Sequence, residues 1–284
     1  MAELFAVITP GLETVTSLEL ARLGIGPFQV ETGGIRFEGG LDEIYKCNLH
    51  LRTVTRLLIR FGRFHAAAFS ELRKKAGRLD WETYINPDLP VQIRSTSHQS
   101  RLYHSDAISE RVQGAIGDRL GIPAKVGSIS ETDDSPKQLI LVRLVNNICT
   151  ISLDTSGDPL YKRGYRLETA KAPLRESHAA AMLLASGWDL TQPLIDPFCG
   201  SGTIPIEAAL MAGGIASGLT RRFSFMKWPG FDFSKWNQLL EQSKVLITNS
   251  STVILGSDRD QGAITTSISN SQRAGISDQI QFEC

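Results

Sequence analysis

Hydrophobic and polar positions change period block by block along this chain. "LFAVIT" (Leu4 to Thr9) is a continuous apolar run stopped by Pro10-Gly11, which predicts a strand. "LETVTSLELARLG" then spaces Val15, Leu18, Leu20 and Leu23 near the helical repeat and halts at Gly24. Gly33-Gly34 divides "QVETGGIRFEG" into two short runs, a hairpin signal, and "LDEIYKCNLHL" follows as a helix with Leu41, Ile44 and Leu49 apolar. These elements form a small α+β module ending near residue 52. A second α+β module begins with "TVTRLLIRFGRF" as a strand, "FSELRKKAGRLDWETYI" as a helix and "LPVQIRSTS" as a strand.

"HSDAISERVQGAIGDRLG" offers Ser105 or Asp106 as N-cap, Ile108, Val112 and Ile116 four apart, and Gly121 past the end. "QLILVRLVNNICTISLDTSG" predicts two strands turning at Asn146-Asn147. The chain becomes polar and basic at "DTSGDPLYKRGYR", which places a domain boundary near residues 155 to 170. Beyond it the pattern predicts a strand at Leu194-Ile195, a helix over Ile204 to Met211 and a long aromatic-rich loop. A helix around Trp236 to Leu246, the strand "STVILGSD", the helix "GAITTSISNSQRAG" and the strand "QIQFEC" complete the order. Strands alternating with helices imply a parallel, wound sheet. The fold class is therefore α+β in the N-terminal region and α/β, Rossmann-like, after it.

Composition narrows the partners. The chain has 284 residues, 42% of them hydrophobic and 21% charged, as in ordinary globular chains of about two domains. No window holds 18 unbroken apolar residues and "MAELFAVITPGLE" carries an acid at its third position, so we expect an unprocessed cytoplasmic protein without a membrane partner. Cys47, Cys149, Cys199 and Cys284 are scattered, so neither a metal site nor a disulfide is expected. A formal net charge of zero argues against coating nucleic acid by bulk charge. Locally, Arg52, Arg56, Arg60, Arg63, Arg73, Lys74, Lys75 and Arg78 face one acid, Glu71, a candidate phosphate-binding patch whose alternative is a solvated helix face.

The chemistry concentrates in "LIDPFCGSGTIPIEAALMAGG", Leu194 to Gly214. A strand, a turn with two glycines and a helix put backbone N–H groups at the positive end of a helix dipole, which suits an anion. A P-loop requires Gly-Lys-Ser/Thr, but Thr203 and Ile204 follow Gly202. A dinucleotide turn requires a third glycine where Pro205 stands. A nucleoside carrying an amino acid remains: Asp196 ends the first strand, and Asp258 in "VILGSDRD" ends the next, where an acid reaches ribose hydroxyls. Cys199 has no histidine near it and fills the turn.

Two acid-ended strands flanking "DPFCGSGT" resemble the cofactor half of class I S-adenosylmethionine methyltransferases. "DTSGDPLYKRGYR", "KAPLRESHAAAML", "DPFCGSGTIPIEAA", "RRFSFMKWPGF" and "GSDRDQGAI" occur in this order in the THUMP-bearing RNA methylase family, and the resemblance runs from Leu4 onward. Its bacterial members resembling this chain are ribosomal RNA guanine-N2 methyltransferases of the large subunit, often labelled N6-adenine-specific DNA methylases. The resemblance implies a ferredoxin-like module over 1–54, a THUMP RNA-binding domain over 55–155 and a methyltransferase domain over 165–284. It implies S-adenosyl-L-methionine as cofactor, with Asp196, Pro197, Phe198, Gly200, Ser201 and Gly202 lining its methionine end, Asp258 its ribose, and Pro173 and Leu174 closing the pocket. RNA is the implied partner, through Tyr161, Lys162, Arg163, Arg166, Lys74 and Lys75. Tyr161 to Arg166 interleave aromatics and cations as stacking on unpaired bases requires, or else form the packing and ion pairs of a linker. Phe223, Phe225, Trp228, Phe231 and Trp236 are expected to cover a core.

The resembling family holds its target amine with an Asn/Asp-Pro-Pro-Tyr/Phe motif after the fourth strand, and no Pro-Pro occurs here. The sequence stops at Cys284 inside the third strand, short of the acid expected to meet adenine. We therefore assign no catalytic residue, and expect a partial sequence whose 284-residue chain is inactive and leaves the first strand of its last sheet as an apolar edge. The rival expectations are a non-catalytic THUMP RNA-binding protein and an N6-adenine DNA methylase.

Overall fold

A computed structural model describes residues 1–125, 137–166 and 174–284. β1 (Ala2–Ile8), α1 (Glu13–Arg22), β2 (Phe28–Glu31), β3 (Gly34–Gly39) and α2 (Leu41–His50) lead into β4 (Val54–His65). α3 (Phe69–Ala76), β5 (Val91–His98), α4 (Ser105–Leu120), β6 (Gln138–Val145) and β7 (Ile148–Asp154) follow. α3 is shorter than the sequence pattern suggests: it ends at Gly77, and Trp81–Thr83 forms only a 3-10 turn whose tryptophan is fully buried. Both hairpins form, the second with Asn146 and Asn147 at φ 50° and 62°, the left-handed pair that an Asn-Asn turn supplies.

The two N-terminal modules share one sheet. Its strand order is β2-β3-β1-β4-β7-β6-β5. β4 is the hinge of this arrangement, because its first half pairs with β1 and its whole second half with β7, antiparallel in both cases. A boundary drawn at residue 54 or 55 therefore falls at the start of a strand that belongs to both modules. The inward residues Leu4, Ala6, Ile35, Phe37, Leu57, Ile59, Ile140, Val142 and Leu144 are buried in one cluster with α2 and α4 residues such as Leu49 and Ile116.

The last third builds a second, smaller sheet. α5 (Glu176–Ala185), β8 (Leu194–Asp196), α6 (Thr203–Ala212), α7 (Phe233–Val245), β9 (Ile254–Ser257), α8 (Gln261–Arg273) and β10 (Gln281–Glu283) give three parallel strands ordered β10-β9-β8. β8 pairs with β9 alone among the described residues, and Ile195 on it is exposed. The aromatic segment between α6 and α7 does not join this sheet's core. Phe223, Phe225, Trp228 and Trp236 are buried in the N-terminal cluster, where Tyr45 of α2 lies 4.8 Å from Phe225 and 5.7 Å from Trp236. Ring pairs at such spacings each add about 0.5–1.5 kcal/mol beyond area burial, so the segment fastens the two halves together.

Candidate functional site

The turn between β8 and α6 is held open by its own sequence. Gly200 and Gly202 take φ values of 53° and 80°, left-handed conformations that cost a side-chain-bearing residue about 1–2 kcal/mol. A Cβ on Gly202 would stand 3.0 Å from Ser267 Cβ and 3.3 Å from the Phe282 ring, so only glycine lets the turn lie against α8 and β10. A Cβ on Gly200 would meet nothing within 4 Å. One glycine is packed and the other faces open space.

Backbone polar groups of the turn are tied to the neighbouring strand and helix. The Cys199 N–H donates to Ser257 O (2.9 Å), and the Gly200 N–H to Asp258 Oδ2 (3.0 Å). Ser267 Oγ donates to Gly200 O (2.7 Å), and Asn270 Nδ2 to Ser201 O (3.0 Å). α6 begins with Gly202 as a cap lacking a side chain, and Pro205 at its third position removes one of the unpaired donors. The Thr203 and Ile204 N–H groups thus remain at the positive end of the helix, facing the turn.

The electrostatics name the other half of the ligand. Asp196 is half-buried, and burial pushes its carboxyl above the usual range; the Phe198 N–H that it accepts (3.1 Å) pulls down and the Asp258 charge pushes further up. No basic side chain is among the causes acting on it. Asp196 and Asp258 thus stand at the turn that leads into a helix start without a side-chain cap, so both signs of field meet there. Asp258 uses two of its roughly four lone-pair sites, on Gly200 N and Asp260 N, leaving the remainder for hydroxyl donors. Asp260 accepts from Gly262 N and caps α8.

The residues of the turn sit together as the sequence groups them. Asp196, Pro197, Phe198, Gly200, Ser201, Gly202 and Asp258 lie at the ends of β8 and β9, with Ser201 and Gly202 buried and Phe198 86% exposed. Leu174 is half-exposed and offers its carbonyl to Arg166 (2.6 Å), while Pro173 lies outside the described residues. Burial pushes the Cys199 thiol up to about 11, as befits a side chain filling the turn. Ser267 and Asn270, buried on α8 beside Ile264 and Ser271, are not among the residues singled out from sequence.

The basic residues are a different matter. Arg163 is 4% exposed and binds Glu207 (3.3 Å) with the carbonyls of Leu160 and Arg52, so its expected RNA contact is corrected to a structural role. Tyr165 is buried as well, its hydroxyl donating to Glu207 (3.2 Å). Arg166 is held by Glu176 at 2.8 Å, and Tyr161 lies under Arg175, whose guanidinium is 5.0 Å from the ring. Lys162 is exposed near Asp158. Of the eight-cation patch, Arg52 faces Glu207, Arg56 binds Asp154, Arg73 binds Asp118 and Lys75 binds Glu71, which leaves Arg60 part-buried on β4 and Arg63, Lys74 and Arg78 exposed. The fold divides the patch: half of it is taken up by carboxylates, and Arg60 and Arg63 stay together on β4.

Comparison with known proteins agrees with this division. A family profile described as "RMKL-like, methyltransferase domain" matches residues 163–284, "RlmL ferredoxin-like domain" matches 3–58 and "THUMP domain" matches 66–154. The chain is 33% identical to the "Putative RNA methyltransferase" of Synechocystis, over 98% of this chain and 73% of that protein. It is 35% identical to "Ribosomal RNA large subunit methyltransferase K/L" of Methylococcus capsulatus, over 99% of this chain but 39% of that protein. Among solved structures, one described as "a putative methyltransferase complexed with SAH" superposes with a TM-score of 0.88 at 32% identity, covering 99% of this chain and 74% of the other. A "predicted N6-adenine-specific DNA methylase" of Listeria monocytogenes gives 0.90 at 35% identity, covering 99% and 74%.

Proposed function

This chain belongs to the RMKL-like RNA methyltransferase family, and from that premise we propose that it binds S-adenosyl-L-methionine at the β8–α6 turn and serves methylation of large-subunit ribosomal RNA at a guanine N2. The observation that carries the reading is the pairing of the Asp196 and Asp258 carboxylates with the uncapped start of α6. The cofactor supplies a methyl group on a sulfonium centre. The residues of this chain would hold it: Asp196 the ammonium, the Thr203 and Ile204 N–H groups the carboxylate, Asp258 the ribose hydroxyls, and the exposed Phe198 one wall. Gly200 leaves the room this requires.

Positioning would supply most of the rate, because methyl transfer between bound partners gains chiefly from alignment. Deleting the coding sequence should remove one N2-methylguanosine from large-subunit ribosomal RNA. Loss of N6-methyladenine from DNA with ribosomal RNA unchanged would overturn the reading in favour of the DNA methylase that the Listeria structure's description suggests.

A further inference from the structure

Four arginines far apart in sequence, Arg36, Arg60, Arg63 and Arg143, line one concavity of about 620 Å³ on the seven-stranded sheet. Strand register brings them together. Thr150 on β7 pairs with Arg63 of β4 on one side and with Arg143 of β6 on the other, and Arg143 pairs in turn with Thr96 of β5. Cation and hydroxyl therefore alternate along a row, Arg63, Thr150, Arg143, Thr96, on the face opposite the buried Ile140, Val142 and Ile151. Strands lie about 4.8 Å apart, so the two arginine backbones are separated by roughly 9.6 Å. One row over, Arg60 donates to Ser152 Oγ (3.2 Å) and covers the Phe5 ring at 3.9 Å.

The four cations are unequally committed. Arg36 is tied to Glu3 and Glu31 at 3.5 Å each. Arg63 and Arg143 are exposed and have no carboxylate partner among the described residues. The concavity is also lined by Glu3 and Glu31, so four arginines face two acids; the unbalanced positive charge is unfavourable in the free protein, and an anion laid across Arg63 and Arg143 relieves it. The Arg60 guanidinium registers the crowding: burial lowers its pKa, and the charges of Arg143 and Arg36 act in the same direction against those of Glu31 and Glu3.

We propose that this row is a platform for the RNA phosphate backbone, with Arg63 and Arg143 each holding a phosphate and the Thr150 hydroxyl between them donating to a phosphate oxygen. The inference rests on the RNA methyltransferase reading and names the surface by which the N-terminal half holds its substrate. An aromatic ring free for stacking is missing from the row, since Phe5 is covered by Arg60, so the contacts fix position without reading sequence. Arg60 and Arg63 belong to the basic stretch read from sequence, but the row is completed by Arg143 of β6, more than 70 residues away.

The test is fluorescence anisotropy of the full chain with a labelled unpaired RNA oligonucleotide and its DNA counterpart, over a range of salt. The double variant Arg63→Glu/Arg143→Glu should bind RNA at least tenfold more weakly at low salt, with the log–log salt slope reduced by about 1.4, two single-strand phosphate contacts. Its thermal melting and its affinity for S-adenosylhomocysteine should match the unmodified chain. A matched-charge control, Lys46→Glu/Lys244→Glu on α2 and α7, should keep RNA affinity within about threefold. Unchanged binding by the double variant, or equal loss in the control, overturns the platform while leaving the RNA reading intact. An unmodified chain that binds S-adenosylhomocysteine but no RNA, or prefers DNA, overturns both.

Discussion

Arg163 and Glu207 form an ion pair in which both side chains are almost wholly buried, at 3.3 Å, on opposite sides of the junction between the N-terminal sheet and α6. The Glu207 carboxylate also accepts from the Tyr165 hydroxyl, and Arg52 Nη1 stands 3.7 Å away. One carboxylate therefore faces two guanidinium groups, Arg52 from the N-terminal half and Arg163 from the linker, and it does so from the helix whose first turn forms the candidate cofactor site. Removing one member of such a pair leaves charge buried without compensation, which costs about 3–5 kcal/mol. Glu207→Gln should lower unfolding free energy by that order in urea titration. A loss under about 1 kcal/mol would show that water reaches Arg52 and Arg163 once the acid is gone.

The raised carboxyl of Asp196 makes ligand binding depend on pH in a definite direction. Burial, with Asp258 adding to it, holds its folded pKa above the ordinary 3.8, so the ligand-free fold keeps this proton more firmly than the unfolded chain. From this group alone, stability of the free protein declines as pH rises from 3.8 through the raised value. A cationic ligand reverses the preference because it needs the carboxylate. Affinity for S-adenosylhomocysteine should therefore rise with pH across the same window, with proton release seen by calorimetry in buffers of different ionisation enthalpy. Asp196→Asn should bind about 10- to 100-fold more weakly, the worth of a charged hydrogen bond, and show no proton release.

The strand and helix pattern was legible wherever one face is buried and the other wet: the Asn146-Asn147 hairpin, α6 and the acid-ended β8 and β9 stand where periodicity places them. The turn was legible because its glycines and flanking acids answer local demands. What escaped was every relation decided by partners distant in sequence. Glu207, the single acid in the apolar run "TIPIEAALMA", signalled a buried ion pair without saying with whom. Of the linker cations Arg163 turned inward to that acid, and Arg63 met Arg143 only through a register set by β7. The aromatic segment over 223–236 read correctly as core, yet it is the N-terminal core that it fills.

Gly200 and Gly202 should separate folding from ligand binding. Alanine at Gly202 adds positive-φ strain of about 1–3 kcal/mol to a contact of 3.0 Å with Ser267, and should chiefly lower melting temperature. Alanine at Gly200 carries backbone strain of about 1 kcal/mol but meets no protein atom within 4 Å, so its methyl group enters open space, where the proposed function puts the ligand. It should reduce S-adenosylhomocysteine affinity more than Gly202→Ala does, and stability less. The same order for both properties would place the ligand elsewhere.

Cys199 lies inside the glycine turn, where a nucleophile would also stand, and its environment argues against that role. Burial holds its thiol at about 11, with the Asp196 and Asp258 charges pushing the same way against the Ser267 contact. Thiolate is the reactive form, and at pH 8 its fraction there is about one in a thousand. Cys284 is exposed and should be alkylated first by iodoacetamide, with Cys199 reacting only on unfolding. Peptide mass spectrometry of a timed reaction reads both sites, and Cys199→Ala should retain affinity for S-adenosylhomocysteine within about threefold. Rapid modification of Cys199 at neutral pH, blocked by the ligand, would instead make the thiol a reactive part of the site.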